Sequence, residues 1–134
     1  MRTIKFRGKR IDKDVFVFGD MLTGMGDKKG KFYILPHLTY YPGDCNSLDG
    51  YEVIRETVGQ FTGLCDKNGT EIYEGDIVIF DNHLQGISQV VYDYAGFDVD
   101  SKTYRTALRP AMSNHMRVVG NIHDNSSLLK GGAE

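Results

Sequence analysis

The chain has 134 residues, of which 40% are apolar, 25% charged and 11% aromatic, and its net charge at neutral pH is −2. This composition excludes a disordered chain, a collagen-like chain and a small disulfide-dense protein. No apolar run approaches the roughly 20 residues of a membrane helix, and no signal peptide opens the chain. We therefore expect a cytoplasmic protein without membrane contact, in which Cys45 and Cys65 are reduced thiols, with a disulfide as the alternative.

Glycine and proline divide the chain into short segments. There are 16 glycines and three prolines, and the longest stretch free of both spans residues 97–109. An average helix needs about 11–12 residues, and each interior glycine costs it about 1 kcal/mol. The spacing therefore predicts a mainly β fold, a small antiparallel barrel or sandwich-like fold with about nine short strands.

Runs of β-branched and aromatic residues, and runs in which apolar and polar residues alternate, predict the individual strands. The first run alternates apolar and basic side chains, whereas residues 77–80 are apolar throughout and are predicted to be buried on both faces. The predicted strands lie at residues 4–7, 16–18, 31–35, 57–62, 77–80, 89–92, 97–100 and 116–119. Residues 23–30 and 39–50 are predicted loops. The second loop is the candidate subdivision within an otherwise single domain of residues 1–130.

The most specific turn signal in the sequence is the pair Asn68-Gly69. Both residues tolerate positive φ, so they predict a type I′ hairpin turn. Gly75-Asp76 is predicted to begin the next strand. Residues 124–127 are typical of a helix N-cap, which predicts one helical turn at 128–130. The tail at 131–134 is expected to fray.

The charges are segregated along the chain. Residues 1–31 hold nine basic and four acidic side chains, a net charge of +5, whereas residues 71–100 hold seven acidic side chains and no lysine or arginine. We expect the two segments to pair, within one chain or between subunits of a homo-oligomer. The acidic overall balance does not suit a dedicated duplex-binding protein.

The basic residues near the start form the first candidate binding surface. Lys5, Arg7 and Lys9 have the spacing of one strand face, and Arg10 follows them. They are candidates for contacting the phosphates of single-stranded nucleic acid. A solvated strand face, or an edge strand protected from aggregation by its charge, explains the same pattern.

An enzyme is the rival interpretation. Asp98 and Asp100 share a strand face and could hold a divalent cation with Asp93 or Asp81, although alternating acids on a solvated face are the far commoner explanation. An active site would require a pocket lined by at least two acids of this segment. The candidates are Asp76, Asp81, Asp93, Asp98 and Asp100. No cysteine–histidine metal spacing, nucleophile elbow or phosphate-binding glycine loop is present, so we predict no catalytic residue, metal or cofactor.

The longest recognisable motif is ETVGQFTGLCDKNGTEIYEGDIV, residues 56–78. It closely resembles the central signature of the YopX family of phage and prophage proteins. The opening Lys5-Phe6-Arg7, the aromatic segment before Gly19-Asp20 and the closing residues 118–125 are similar to the family as well. The chain departs from the pattern at Arg55, at Cys65 and after Asn125, and none of these changes threatens the fold.

The resemblance implies a small, mainly β domain encoded by phages and carried in bacterial genomes. It implies no established activity, cofactor or catalytic residue. Gln60, Thr62 and Glu74 are polar signature residues that turn chemistry does not explain, so they form a second candidate surface. We expect a non-enzymatic accessory module that binds a macromolecule, which is a host protein, a phage protein or single-stranded nucleic acid. A purely structural subunit would instead show a large apolar surface patch.

Overall fold

Short antiparallel strands form most of the regular structure in the computed structural model, which describes residues 3–36, 50–81, 86–93, 96–101 and 104–131. Eleven strands lie in these ranges, and the longer of the two α-helices has five residues. The predicted mainly β fold class is confirmed. Backbone contacts divide the chain into a first unit, Met1–Gln60, and a second unit, Phe61–Glu134.

The first unit is built on four antiparallel strands in the order β4-β3-β2-β1. Beyond β1, the order continues into β5, whose first residues pair with Phe6 and Arg7. An isolated bridge joins Arg10 to Val53, so the end of β1 also meets β4. The strands are β1 (Phe6–Lys9), β2 (Phe16–Thr23), β3 (Phe32–Pro36), β4 (Tyr51–Val53) and β5 (Gly59–Cys65).

The second unit contains the rest of β5, its partner β6 and a five-stranded antiparallel sheet with the order β10-β9-β8-β7-β11. Two short helices flank the last strand in the sequence. The elements are β6 (Glu71–Tyr73), β7 (Asp76–Phe80), β8 (Ile87–Asp93), β9 (Gly96–Asp100), β10 (Arg105–Ala107), α1 (Pro110–Ser113), β11 (Met116–Asn121) and α2 (Ser127–Gly131). Among the described residues, neither sheet closes into a barrel through a continuous ladder.

Each unit buries its own apolar side chains. In the first unit, Ile34 and Val53 are buried on one face of the sheet. Gly8 lies on the same face, where an added Cβ would come within 2.8 Å of Val53 Cγ2. In the second unit, one cluster draws on the strands of the five-stranded sheet and on β6. Its members are Ile72, Val78, Phe80, Val90, Val99 and Met116.

Each of the eight predicted strands overlaps an observed one. The three strands that the sequence did not indicate, β4, β6 and β10, have three residues each, too few to show alternation. The helix α1 was also missed, although Pro110 at its first turn is a usual helix start. The predicted C-terminal helical turn is confirmed as α2.

Some predictions fall outside the described residues or stay untested. Residues 39–49, Cys45 and the tail 132–134 are outside the described ranges, whereas Cys65 has a free thiol. The single domain with a subdivision at 39–50 stays a prediction. In the described part of the chain, no helix is long and apolar enough to span a membrane.

The turn between β5 and β6 lies one residue earlier than predicted. The Gly69 N–H donates to the Asp66 carbonyl at 3.0 Å, so Lys67 and Asn68 occupy the central positions. Gly69 follows with φ +85°, in the left-handed region that glycine favours. The predicted type I′ turn centred on Asn68-Gly69 is therefore wrong. The Asp66 carboxylate decides the register, because its Oδ1 accepts the Asn68 N–H at 2.9 Å.

The same carboxylate connects this turn to β11. Asp66 is 5% exposed, and its Oδ1 also accepts the Thr70 N–H at 2.9 Å. Its Oδ2 accepts the Val118 N–H at 2.8 Å, across 52 residues of sequence. One buried carboxylate thus satisfies three backbone donors that would otherwise lose their hydrogen bonds.

We predict that Asp66→Ala lowers the free energy of unfolding of the full chain by about 3 kcal/mol, because it leaves these backbone donors unsatisfied. Urea denaturation measures the loss. Asp66→Asn retains one oxygen and should lose about half as much. The matched control is Asp27→Ala at an exposed turn position, which should stay within about 0.5 kcal/mol of the wild type. Equal effects of Asp66→Ala and Asp27→Ala would contradict the prediction.

Candidate functional site

The predicted basic surface begins on β1, where the structure holds Arg7 and Lys9 against other side chains. Arg7 is 6% exposed, and its guanidinium carbon lies 4.6 Å from the centroid of the Phe16 ring. The Lys9 ammonium lies 5.6 Å from the same centroid and 2.6 Å from an Asp14 carboxylate oxygen. Lys5 is half-buried just before β1. The binding role of these residues remains a proposal.

Arg10 takes part in a fork-shaped ion pair. Its Nε and Nη2 atoms each donate to an Asp12 carboxylate oxygen at 2.8 Å, and its guanidinium carbon lies 4.4 Å from the centroid of the Tyr51 ring. The hydrogen bond from Arg10 holds the pKa of Asp12 below its ordinary value of 3.8. Two planar contacts therefore fix this guanidinium.

The register of β1, β2 and β3 identifies which side chains share a face with Arg7. Residues directly opposite each other in antiparallel strands point to the same side of a sheet. Arg7 is opposite Phe18, Lys9 is opposite Phe16, and Leu22 is opposite Tyr33. We call this side of the sheet the Phe18 face, with the members Arg7, Lys9, Phe16, Phe18, Asp20, Leu22, Tyr33, Leu35 and Glu52.

Two apolar side chains on the Phe18 face are exposed. Phe18 is 43% and Leu22 is 37% exposed. Asp20 lies between them on β2. The sequence showed the alternation of aromatic residues at 16 and 18 but could not show which face of the strand was exposed. Phe18 and Leu22 are therefore exposed apolar residues that the sequence pattern did not single out.

Positive charges lie over further rings of the first unit. The Lys28 ammonium is 5.8 Å from the centroid of the Tyr33 ring, and the Arg55 guanidinium carbon is 5.3 Å from that of Phe32. Such pairs usually occur about once in 70–80 residues. The first unit thus concentrates positive charge next to aromatic surface.

The second candidate surface does not come together as one site. Gln60 is opposite Phe6 in the sheet, so it lies on the side away from Arg7. The Thr62 hydroxyl donates to the Ile72 carbonyl at 2.8 Å and accepts the Leu64 N–H at 3.2 Å. Glu74 is half-buried in the turn between β6 and β7. Thr62 therefore has a structural role where β5 meets β6.

Other residues of the central motif also bind the backbone. The Thr57 hydroxyl accepts the Lys9 N–H at 2.8 Å and donates to the Ile54 carbonyl at 2.6 Å. The buried Asp76 accepts the Tyr73 N–H through Oδ2 at 2.7 Å. The motif thus serves largely to fix turns and strand ends, as the Asp66 carboxylate does.

In the acidic segment, three carboxylates converge on one arginine. Arg105 Nη2 lies 2.6 Å from Asp93 and Nε lies 3.0 Å from Asp98, while Nη1 is 3.9 Å from Asp100. The hydrogen bond that Arg105 donates to Asp98 and the charges of all three carboxylates raise the pKa of Arg105 above its ordinary value. A guanidinium therefore lies between the carboxylates that the enzyme alternative would use to hold a divalent cation.

The remaining two acids of the enzyme hypothesis have separate partners. Asp76 accepts a backbone N–H, as described above, and Asp81 Oδ1 accepts a hydrogen bond from the Lys67 ammonium at 2.6 Å. That hydrogen bond holds the pKa of the Asp81 carboxyl below its ordinary value. Within the described ranges, no three His, Cys, Asp or Glu side chains are placed to hold a metal ion.

Comparison with known proteins identifies related sequences and folds. A family model described as "YopX protein" matches residues 5–130. The chain is also similar to the crystal structure of protein EF1440 from Enterococcus faecalis, with 22% sequence identity and a TM-score of 0.63. That similarity covers 96% of this chain and 99% of the other, and at this identity it supports the fold alone. No match was found among curated proteins.

We predict that Arg10→Gln raises the pKa of Asp12 toward its ordinary value, because the substitution removes the charged donor that lowers it most. Carboxyl NMR titration of the full chain measures this shift. In the wild type, the pair stabilises the fold fully above pH 3.8 and loses that effect as the pH falls through the lowered pKa of Asp12. An Asp12 pKa that is the same in both proteins would contradict the ion pair.

We predict that Ca²⁺ leaves the melting temperature of the wild type unchanged, because the Arg105 guanidinium already lies among Asp93, Asp98 and Asp100 and contacts all three carboxylates. In Arg105→Ala, Ca²⁺ should raise the melting temperature, because three carboxylates then face one another without a cation. Differential scanning calorimetry with millimolar CaCl₂ measures both shifts, and Lys67→Ala serves as the control for a lost surface cation. A rise in the wild type would support the metal-site alternative instead.

Proposed function

This chain belongs to the YopX family, and on that premise we propose that it is a non-enzymatic accessory module that binds a macromolecule through the Phe18 face. We further propose a phage or prophage origin and a place of action in the bacterial cytoplasm, as the resemblance to phage proteins implies. The observation that carries the binding role is the exposure of Phe18 and Leu22 on a sheet face that also holds cations.

The energetic argument concerns apolar surface left in water. Each Å² of apolar surface removed from water contributes about 25 cal/mol of free energy. A partner that covers the exposed parts of Phe18 and Leu22 therefore gains binding free energy. Single exposed apolar residues are common and need no explanation. Here they share a face with Phe16, Tyr33 and charged neighbours, which is the composition of an interaction surface with a polar rim.

The rigidity of the surface supports the same role. Phe16 lies against both Arg7 and Lys9, and β2 is paired with a neighbour on each side. A partner that binds side chains already fixed in place loses less conformational freedom than one that must order a loop. The face is therefore suited to binding without a large rearrangement.

Site-specific photo-crosslinking in the bacterial host tests this proposal. We expect a diazirine amino acid at position 18 of the full chain to give an adduct, because the face is covered when the protein works. The control places the same group at Tyr104, which is 53% exposed in the second unit. Nuclease and protease digestion then identify the adduct as nucleic acid, a different protein or a second copy of this chain. No adduct at position 18, or equal adducts at both positions, would contradict the proposal.

A further inference from the structure

We infer that the macromolecule bound by the Phe18 face is single-stranded nucleic acid, an inference that rests on the proposed function. Proteins that bind single strands combine aromatic rings, on which bases stack, with positive charges that contact the backbone. Both features occur on the Phe18 face.

Two aromatic rings of β2 lie next to each other on the Phe18 face. Phe16 and Phe18 are two residues apart on β2, so they lie about 6.8 Å apart on the same face. Phe18 offers the exposed ring, whereas Phe16 is half-buried against the guanidinium of Arg7. The structure therefore assigns the stacking role to Phe18 and gives Arg7 the role of positioning the neighbouring ring.

The cations that accompany these rings supply the phosphate contacts. Lys9 lies on the Phe18 face, Lys5 continues the spacing of that face one residue before β1, and Lys28 reaches the Tyr33 ring. Lys9 pairs with Asp14, whose side chain is largely exposed. The Lys9 side chain is only 12% exposed, whereas Asp14 is 88% exposed, so a phosphate that approaches from solvent competes with Asp14 for the Lys9 ammonium.

The distribution of charge favours a single strand over a duplex. A duplex keeps its bases stacked inside, where Phe18 cannot reach them, and binds mainly through many phosphate contacts. Residues 71–100 have no lysine or arginine and the chain is acidic overall, so an extended phosphate surface would also meet repulsion. A single strand needs only a few phosphate contacts because stacking supplies further affinity.

Fluorescence anisotropy with the full chain and labelled 20-nucleotide oligo(dT) tests the inference. We expect saturable binding, and Phe18→Ala should weaken it roughly 5- to 100-fold through the loss of one stacked base. Three phosphate contacts predict that the dissociation constant rises with about the second power of the salt concentration. Lys5→Gln and Lys28→Gln should each lower that exponent by about 0.7.

Two matched substitutions in the second unit separate the site from general effects. Tyr104→Ala removes an exposed aromatic ring, and Lys67→Gln removes a partly exposed cation. Both should leave oligo(dT) binding unchanged. Circular dichroism and thermal melting establish that each variant is folded.

The outcomes separate this inference from the proposed function. The inference is overturned if Phe18→Ala binds oligo(dT) as tightly as the wild type does. It is also overturned if the wild type binds a 20-base-pair duplex as tightly as it binds oligo(dT). Failure to bind oligo(dT), together with a protein adduct at position 18, overturns it and leaves the proposed function standing. If oligo(dT) does not bind and no adduct forms at position 18, both the inference and the proposed function are overturned.

Discussion

The carboxylate of Asp66 is the constraint on which much of the second unit depends. It is buried, it accepts three backbone N–H groups, and one of these belongs to β11, far away in the sequence. Hydrogen bonds to a charged acceptor are stronger than those between neutral groups, and leaving their donors unsatisfied is costly. One side chain therefore sets both the shape of the β5–β6 turn and the position of the last strand.

The same principle recurs at other places where the chain changes direction. Thr57, Thr62 and Asp76 each bind backbone groups at a strand end or turn. Near the end of the chain, Asn121 Oδ1 accepts the N–H groups of His123 and Asp124. The polar residues that make the family motif recognisable thus act mainly on the protein's own backbone. The motif therefore has a structural reason to be long and specific.

The first unit differs in how it uses its polar residues. Arginine and lysine side chains lie over aromatic rings, and a sheet face carries exposed apolar groups beside them. Neither feature is needed to fix a turn. The motif residues of the second unit thus fix turns and strand ends, whereas the Phe18 face of the first unit is the surface that we propose for recognition.

The sequence predicted the β class and eight strands because glycine spacing and alternation are local properties. It missed β4 because three residues carry no periodic signal, and it misplaced the turn at 66–70 because the Asp66 side chain, rather than Asn68-Gly69, determines the register. The convergence of Asp93, Asp98 and Asp100 on Arg105 depends on strand pairing at β10, which was not predicted. Likewise, alternation at Phe16 and Phe18 could not show which face is exposed.

The most direct test of this division is an NMR titration of the ¹⁵N-labelled full chain with oligo(dT). We predict that the largest amide shifts lie in β1 and β2 and around Lys28, while amides of residues 62–76 and 93–105 keep their positions. Shifts concentrated at the motif residues 62–76, or a spectrum unchanged at saturating oligonucleotide, would contradict it.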